Sequence, residues 1–265
     1  MPHLPRFFLP QEAFPPDMEL LGRPRAETPS EYRFPEISIT GSDAAHLIKS
    51  LRAKPGEELT VSDMRRSDYR CRIAEISESL VRLEILSVER SENEPSAEVI
   101  LFQAIPKGDK MDGIISRAVE LGVRRIVPVI TARTIVKGTT HDFERKRLRW
   151  QRIADEAAKQ CGRGELIPIS ETVGYNQALE QLILRETAFI CYEGEETSSI
   201  RDFLEQNTLT DTAFLIGPEG GLAPVEADAA VHRGIKLISL GRRILRTETA
   251  SACVLSAIML MTNNL

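Results

Sequence analysis

Polar and apolar residues follow two rhythms along this chain. Up to about residue 90 they alternate in short runs: "YRFPEISIT", "EELTVSDM", "YRCRIAEIS" and "SLVRLEILSVER". In the last run Val81, Leu83, Ile85 and Val88 nearly alternate with polar side chains, the period of strands with one buried face. "KPGEEL" marks a turn. "GSDAAHLIKSLR" predicts one helix, capped by Ser42 or Asp43, with Ala44, Leu47, Ile48 and Leu51 on its apolar stripe. Several short strands and a helix predict a small β-barrel domain over 1–90. "VERSENEPSAEV" is polar, holds Pro95 and lacks periodicity, so 91–98 reads as a linker.

From residue 99 the rhythm changes. "EVILFQAI", "RRIVPVIT", "LIPIS", "TAFICYE", "TAFLIGPEGG" and "IKLISLG" are apolar runs of strand length. Between them lie helical patterns. "KMDGIISRAVELG" ends at Gly122, a C-cap position, and "DFERKRLRWQRIADEAAKQCG" places Leu148, Ile153, Ala157 and Ala158 near one face. "NQALEQLIL" and "PVEADAAVHRG" supply two more helices. Strands alternating with helices predict an α/β domain with a parallel sheet covered on both faces, over 99–265.

Composition narrows the class. Apolar residues at 42% can build a core, and no apolar run is long enough to cross a membrane. "MPHLPRFFLP" lacks a basic-then-apolar signal pattern, so a cytoplasmic protein is expected. Cys71, Cys161, Cys191 and Cys253 are far apart and form no CxxC pair, which predicts free thiols and no metal site. The net charge of −5 argues mildly against nucleic acid, yet 133–163 is locally basic. That strip is either a polyanion-binding face or a solvated helix with intrahelical ion pairs.

Three predicted strands end in loops of related character: "CYEGEE", "GPEGG" and "GRRILRTETA". In open α/β sheets ligands sit beyond the carboxyl ends of strands, so the three loops outline one pocket. Gly217, Gly220 and Gly221 let backbone groups approach a ligand closely. The pattern is neither a Walker loop nor a GxGxxG fingerprint, which disfavours phosphate cradling. After the third loop comes a nearly uniform apolar helix, "ASACVLSAIMLM".

"LIGPEGGL" followed by "LGRRILRTETA" resembles the ribosomal RNA small subunit methyltransferase E family of the SPOUT superfamily. The resemblance spans nearly the whole chain. "RFFLP" and "HLIKSLRAKPGEELTVSD" resemble the family's PUA-like barrel, and "IPKGDKMDGIISRAVELGVRRIVPV" and "WQRIADEAAKQCGRGELIPIS" its central motifs. Two departures stand out: Arg117 where lysine is usual, and extra residues near Asp17–Thr28.

The resemblance implies a SPOUT-type knotted parallel-sheet methyltransferase domain behind a PUA-like RNA-binding domain. It implies S-adenosylmethionine as cofactor, N3 of a uridine in 16S ribosomal RNA or the small ribosomal subunit as substrate, and a homodimer. The cofactor would lie against Cys191, Tyr192, Glu193, Gly217, Pro218, Glu219, Gly220, Gly221, Leu240, Gly241, Ile244, Leu245, Thr247, Thr249 and Ala250. Phosphate contacts are expected at Arg6, Arg52, Lys107, Lys110, Arg163 and Arg243. Uracil N3 must lose a proton before it attacks, so a fixed cation should steady the ring oxygens, and Arg246 is the candidate. Its structural alternative is an ion pair with Glu248, which could instead cap the last helix. The rival readings are a methyltransferase for another rRNA or tRNA base, and a non-catalytic RNA-binding assembly factor. Three intact pocket loops favour an enzyme.

Overall fold

The computed structural model describes residues 4–14, 35–136, 138–194 and 197–265. The segment near Asp17–Thr28 and Lys137 lie outside the described residues. The chain divides into two compact units, 1–94 with 158–166, and 95–157 with 167–265.

The first unit is a five-stranded sheet of order β1-β3-β4-β5-β2. Its strands are β1 (Arg6–Phe8), β2 (Glu36–Thr40), β3 (Glu58–Ser62), β4 (Ser67–Ile76) and β5 (Leu80–Arg90). Alternation sets the register. Ile37 faces Leu83 and Ile39 faces Val81 across the antiparallel β2–β5 pair, and all four are buried. Irregularities in the β4–β5 ladder, at Arg70/Cys71 and Ile73/Glu75, bend the longest pair around this core. Helix α1 (Gly41–Ala45) runs on into a π-helical turn, His46–Ser50, and drops Ala44 and Leu47 into the core. It begins two residues earlier than a Ser42 cap predicts. Thr40 is the N-cap, with no side-chain capping bond, and Leu51 is exposed. Burial pushes the Cys71 thiol up to about 12.

Residues 158–166 join this unit through polar contacts, which a reading of consecutive segments does not anticipate. Ser62 donates to the Gly164 carbonyl at 2.8 Å, and Arg66 pairs with Glu165 at 2.7 Å. Glu94 accepts from the Gly164 N–H at 2.7 Å.

The second unit is a seven-stranded sheet of order β10-β12-β9-β11-β6-β7-β8, with every pair parallel. Its strands are β6 (Glu98–Ala104), β7 (Arg125–Ile130), β8 (Val173–Gly174), β9 (Thr187–Cys191), β10 (Ser198–Ser199), β11 (Asp211–Ile216) and β12 (Lys236–Ser239). The helices are α2 (Lys110–Glu120), α3 (Thr140–Cys161, which belongs to this unit as far as Ala157), α4 (Tyr175–Leu182), α5 (Ile200–Gln206), α6 (Pro224–Val231) and α7 (Thr247–Met261). The central strands are buried along their length, as a parallel sheet between helices requires.

Two expectations need correction. "LIPIS" makes only an isolated bridge, Ile126 with Ile169, because Pro168 has no N–H for a ladder; the edge strand is Val173–Gly174. In α3 the buried stripe is Phe143, Trp150, Ala154, Ala157 and Ala158, so Ala157 and Ala158 lie where expected, while Ile153 is half-buried and Leu148 is exposed. Gly122 ends α2 with φ +90°, and a side chain there would strike Pro95 and press on Met259 of α7. α7 buries Ala250, Val254, Leu255, Ile258 and Met259, and packs on α2, β6 and β11.

Candidate active site

The carboxyl ends of β9, β11 and β12 open onto one cavity of about 560 Å³. Its walls are Cys191–Glu193, Gly217–Glu219 with Gly221 and Leu222, and an unbroken stretch from Ile238 to Thr247, closed by Ala250 and Lys110. Parallel strands put three loops on one edge of the sheet, and hydrogen bonds hold the loops in register. The Tyr192 N–H donates to the Ile238 carbonyl at 3.0 Å. The Thr247 hydroxyl donates to the Gly217 carbonyl at 2.8 Å and accepts from Gln103 Nε2 at 2.9 Å. Arg133 donates to the Gly220 carbonyl at 2.6 Å.

The glycines have different jobs. Gly221 has φ +66°, and a Cβ there would come within 3.0 Å of Glu193 Oε1. Gly220 does not line the cavity: a Cβ there would meet Arg133 at ordinary contact distance. Thr249 is exposed and also lies outside the lining. The other thirteen residues expected at the cofactor surround the cavity. Leu240 and Leu245 are half-buried, whereas Ile244 is 82% exposed at its mouth.

Glu219 is a latch. Its carboxylate accepts from the Lys110 ammonium at 2.8 Å and from the Lys107 N–H at 3.1 Å. Burial pushes its pKa up, but Lys110, with the Glu219 and Lys107 N–H groups, outweighs that and holds it below the ordinary carboxylate value. Burial pushes the Cys191 thiol far up, with Cys253 adding to the shift, so at neutral pH it is a neutral wall of the cavity.

Arg246 is the N-cap residue of α7, and its carbonyl accepts from the Thr249 and Ala250 N–H groups at 2.8 Å. Its guanidinium is exposed at the cavity and pairs with no carboxylate among the described residues. The alternative ion pair with Glu248 is not formed. Nor does Glu248 cap the helix, since its Oε2 is buried without a hydrogen-bond partner.

The residues expected at phosphates divide. Arg52 (φ +52°), Lys107 and Arg243 are exposed, and Lys110 is held by Glu219. Arg6 and Arg163 are not available to RNA. Arg6 grips both oxygens of Asp68 at 2.5 and 2.7 Å with its side chain 8% exposed. Arg163 is committed to Glu94. On α3 both readings of the basic strip find residues: Glu144 pairs with Arg147 within the helix, and Arg149 reaches Asp109 at 3.5 Å and Asp112 on α2. Arg145 and Arg152 stay exposed.

Sequence reasoning missed Gln103, Arg133 and Arg242 as parts of the site. Gln103 had a signal, as the lone polar residue in the apolar run Val99–Ala104. Among the described residues no cluster of His, Cys, Asp and Glu could hold a metal ion, and no helix is long and apolar enough to cross a membrane.

Comparison with known proteins gives the same outline. The profile of the RNA methyltransferase domain matches residues 92–259, and that of the RNA methyltransferase PUA domain matches 39–86. The chain is 29% identical to the ribosomal RNA small subunit methyltransferase E of Bacillus subtilis, covering 86% of this chain and 91% of that protein. It is 31% identical to the protein of that name from Synechocystis, covering 84% and 72%. Among solved structures, ribosomal RNA small subunit methyltransferase E from Neisseria gonorrhoeae, bound to S-adenosyl methionine, superimposes with a TM-score of 0.81 at 28% identity, covering 97% of this chain and 98% of that one.

Proposed function

The chain belongs to the ribosomal RNA small subunit methyltransferase E family, and from that premise we propose that it methylates N3 of a uridine in 16S ribosomal RNA, using S-adenosylmethionine. The observation that carries the reading is the cavity closed by Ile238–Thr247 over the glycine loop. Its residues fit the cofactor. Leu240 and Leu245 offer an apolar slot for an adenine, backbone groups at Gly217 and Gly241 can read its edge, and the Glu193 carboxylate suits a cationic centre. The bound cofactor supplies an electrophilic methyl group on sulfur.

The protein's share is positioning and electrostatics. Uracil N3 gives up its proton, and the resulting negative charge spreads onto O2 and O4 of the ring. Arg246, unpaired at the cavity, is placed to steady that charge while the nitrogen lone pair takes the methyl group. The base enters the cavity unstacked, as methyltransferase substrates do. Arg52, Lys107 and Arg243 serve the RNA backbone, and residues 1–90 form the RNA-binding domain. The enzyme works in the cytoplasm, where its substrate is assembled. It works as a homodimer through the outer face of α7, where Leu260 is 65% and Met261 47% exposed. Light scattering of the native protein and of Leu260→Glu tests that assembly; a native monomer with full activity rules it out.

The test of function is calorimetry with S-adenosylmethionine, then mass-spectrometric mapping of 16S RNA methylated in vitro. One methyl on a uridine N3 is expected. Absence of cofactor binding leaves an RNA-binding assembly factor, and a methyl elsewhere assigns a different base.

A further inference from the structure

Gln103 is the fully buried polar residue of β6. Its Nε2 donates to the Ala104 carbonyl and to Thr247 Oγ1, each at 2.9 Å, while its Oε1 is buried with no hydrogen-bond partner. The Ala104 carbonyl accepts only, so the amide must turn its NH₂ that way. The same NH₂ makes the Thr247 oxygen an acceptor, which leaves the single hydroxyl proton for the Gly217 carbonyl, 2.8 Å away. Gly217 begins the loop after β11 and Thr247 begins α7; both line the cavity, and Gln103 does not.

We propose that Gln103 is a positioning residue for methyl transfer: it sets the direction of the Thr247 hydroxyl, and through it clamps the glycine loop against the start of α7. This rests on the cavity being the S-adenosylmethionine site. Packing alone does not explain the residue. An amide with one unpaired end carries a desolvation cost in an apolar strand, and Leu or Met would fill the same space without a stranded Oε1. What the amide adds is direction. It fixes the separation of two cavity walls, and it fixes the N-cap backbone that carries Arg246.

The role predicts a loss of function out of proportion to any loss of stability. Gln103→Leu should stay folded with a modest fall in its denaturation midpoint, because removing the unpaired Oε1 partly offsets the donor lost by the Ala104 carbonyl. Its dissociation constant for S-adenosylmethionine should nevertheless rise about tenfold, the loss expected for one ordinary hydrogen bond. Single-turnover methyl transfer at saturating cofactor should fall about a hundredfold, because a small displacement of Arg246 costs that much. Thr247→Val should mimic it, Thr247→Ser should lose less, and the two defects should not add in the double variant. A folded Gln103→Leu protein with native cofactor affinity and native single-turnover rate overturns the proposal. If Gln103→Leu does not fold, Thr247→Val decides, and native affinity there overturns it equally. A native protein that binds no S-adenosylmethionine refutes the functional reading instead, a separate outcome.

Discussion

The Arg163 guanidinium and the Glu94 carboxylate meet as a two-pronged pair at 2.7–3.0 Å, with side chains only 4% and 3% exposed. Glu94 also accepts from the Gly164 N–H, so its removal strands both a buried cation and a backbone donor. Arg163→Ala should destabilise the protein by about 3–5 kcal/mol, the usual cost of breaking a buried pair. Chemical denaturation checks it. RNA affinity per folded molecule should not change; a weakened affinity with native stability would return Arg163 to the RNA surface.

The glycine loop separates two substitutions. Gly221→Val should abolish binding of S-adenosylmethionine, because φ +66° is strained for valine and its Cβ crowds Glu193. Gly220→Ala should bind normally, since its methyl group meets Arg133 at 3.5 Å, outside the cavity. Calorimetry on both folded variants decides, and equal affinities would contradict the division.

The three arginines near the mouth should not be equivalent. Arg246→Ala should slow single-turnover methyl transfer by about 10²–10³, the loss typical of one transition-state donor, with little change in cofactor affinity. Arg243→Ala should mainly weaken RNA binding and reduce its salt dependence by about one unit of slope. A fast Arg246→Ala enzyme would make that arginine structural.

Acid should open the latch. Because the folded-state pKa of Glu219 lies below its ordinary value, the Lys110–Glu219 contact stabilises fully above the ordinary carboxylate range. It is lost as pH falls through the depressed value. Cofactor affinity should therefore drop on acidification below the ordinary range, and Glu219→Gln should lower affinity at neutral pH while flattening that drop. An unchanged acid profile in Glu219→Gln would detach the latch from the cavity.

Much of this architecture was readable from periodicity. The alternation at Val81, Leu83 and Ile85 predicts one buried face, and that face is buried. The pocket loops announced themselves because glycines and crowded charges at strand ends are local signals. The fates of Arg6 and Arg163 were not readable. Their carboxylate partners lie 62 and 69 positions away, and nothing near an arginine shows whether a distant carboxylate will claim it. Leu148 misled because a single leucine on a charged helix can lie on either side of the stripe. "LIPIS" misled because apolar content outweighed the missing proline N–H. The work of Gln103 stayed hidden because it depends on Thr247, more than half the chain away.

The strand order also sets a timetable for synthesis. β6 is made early, yet the partner on one of its sides, β11, is made long after it, and β12 later still. A growing chain therefore carries an apolar, half-paired strand from the synthesis of β6 at 98–104 until β11 at 211–216 is made, a period in which a chaperone would find it an attractive client. The cavity acquires its third wall only when residues past 240 emerge, so a chain stopped before that point lacks part of its methyl-donor pocket. The pocket is among the last parts of this protein to be completed.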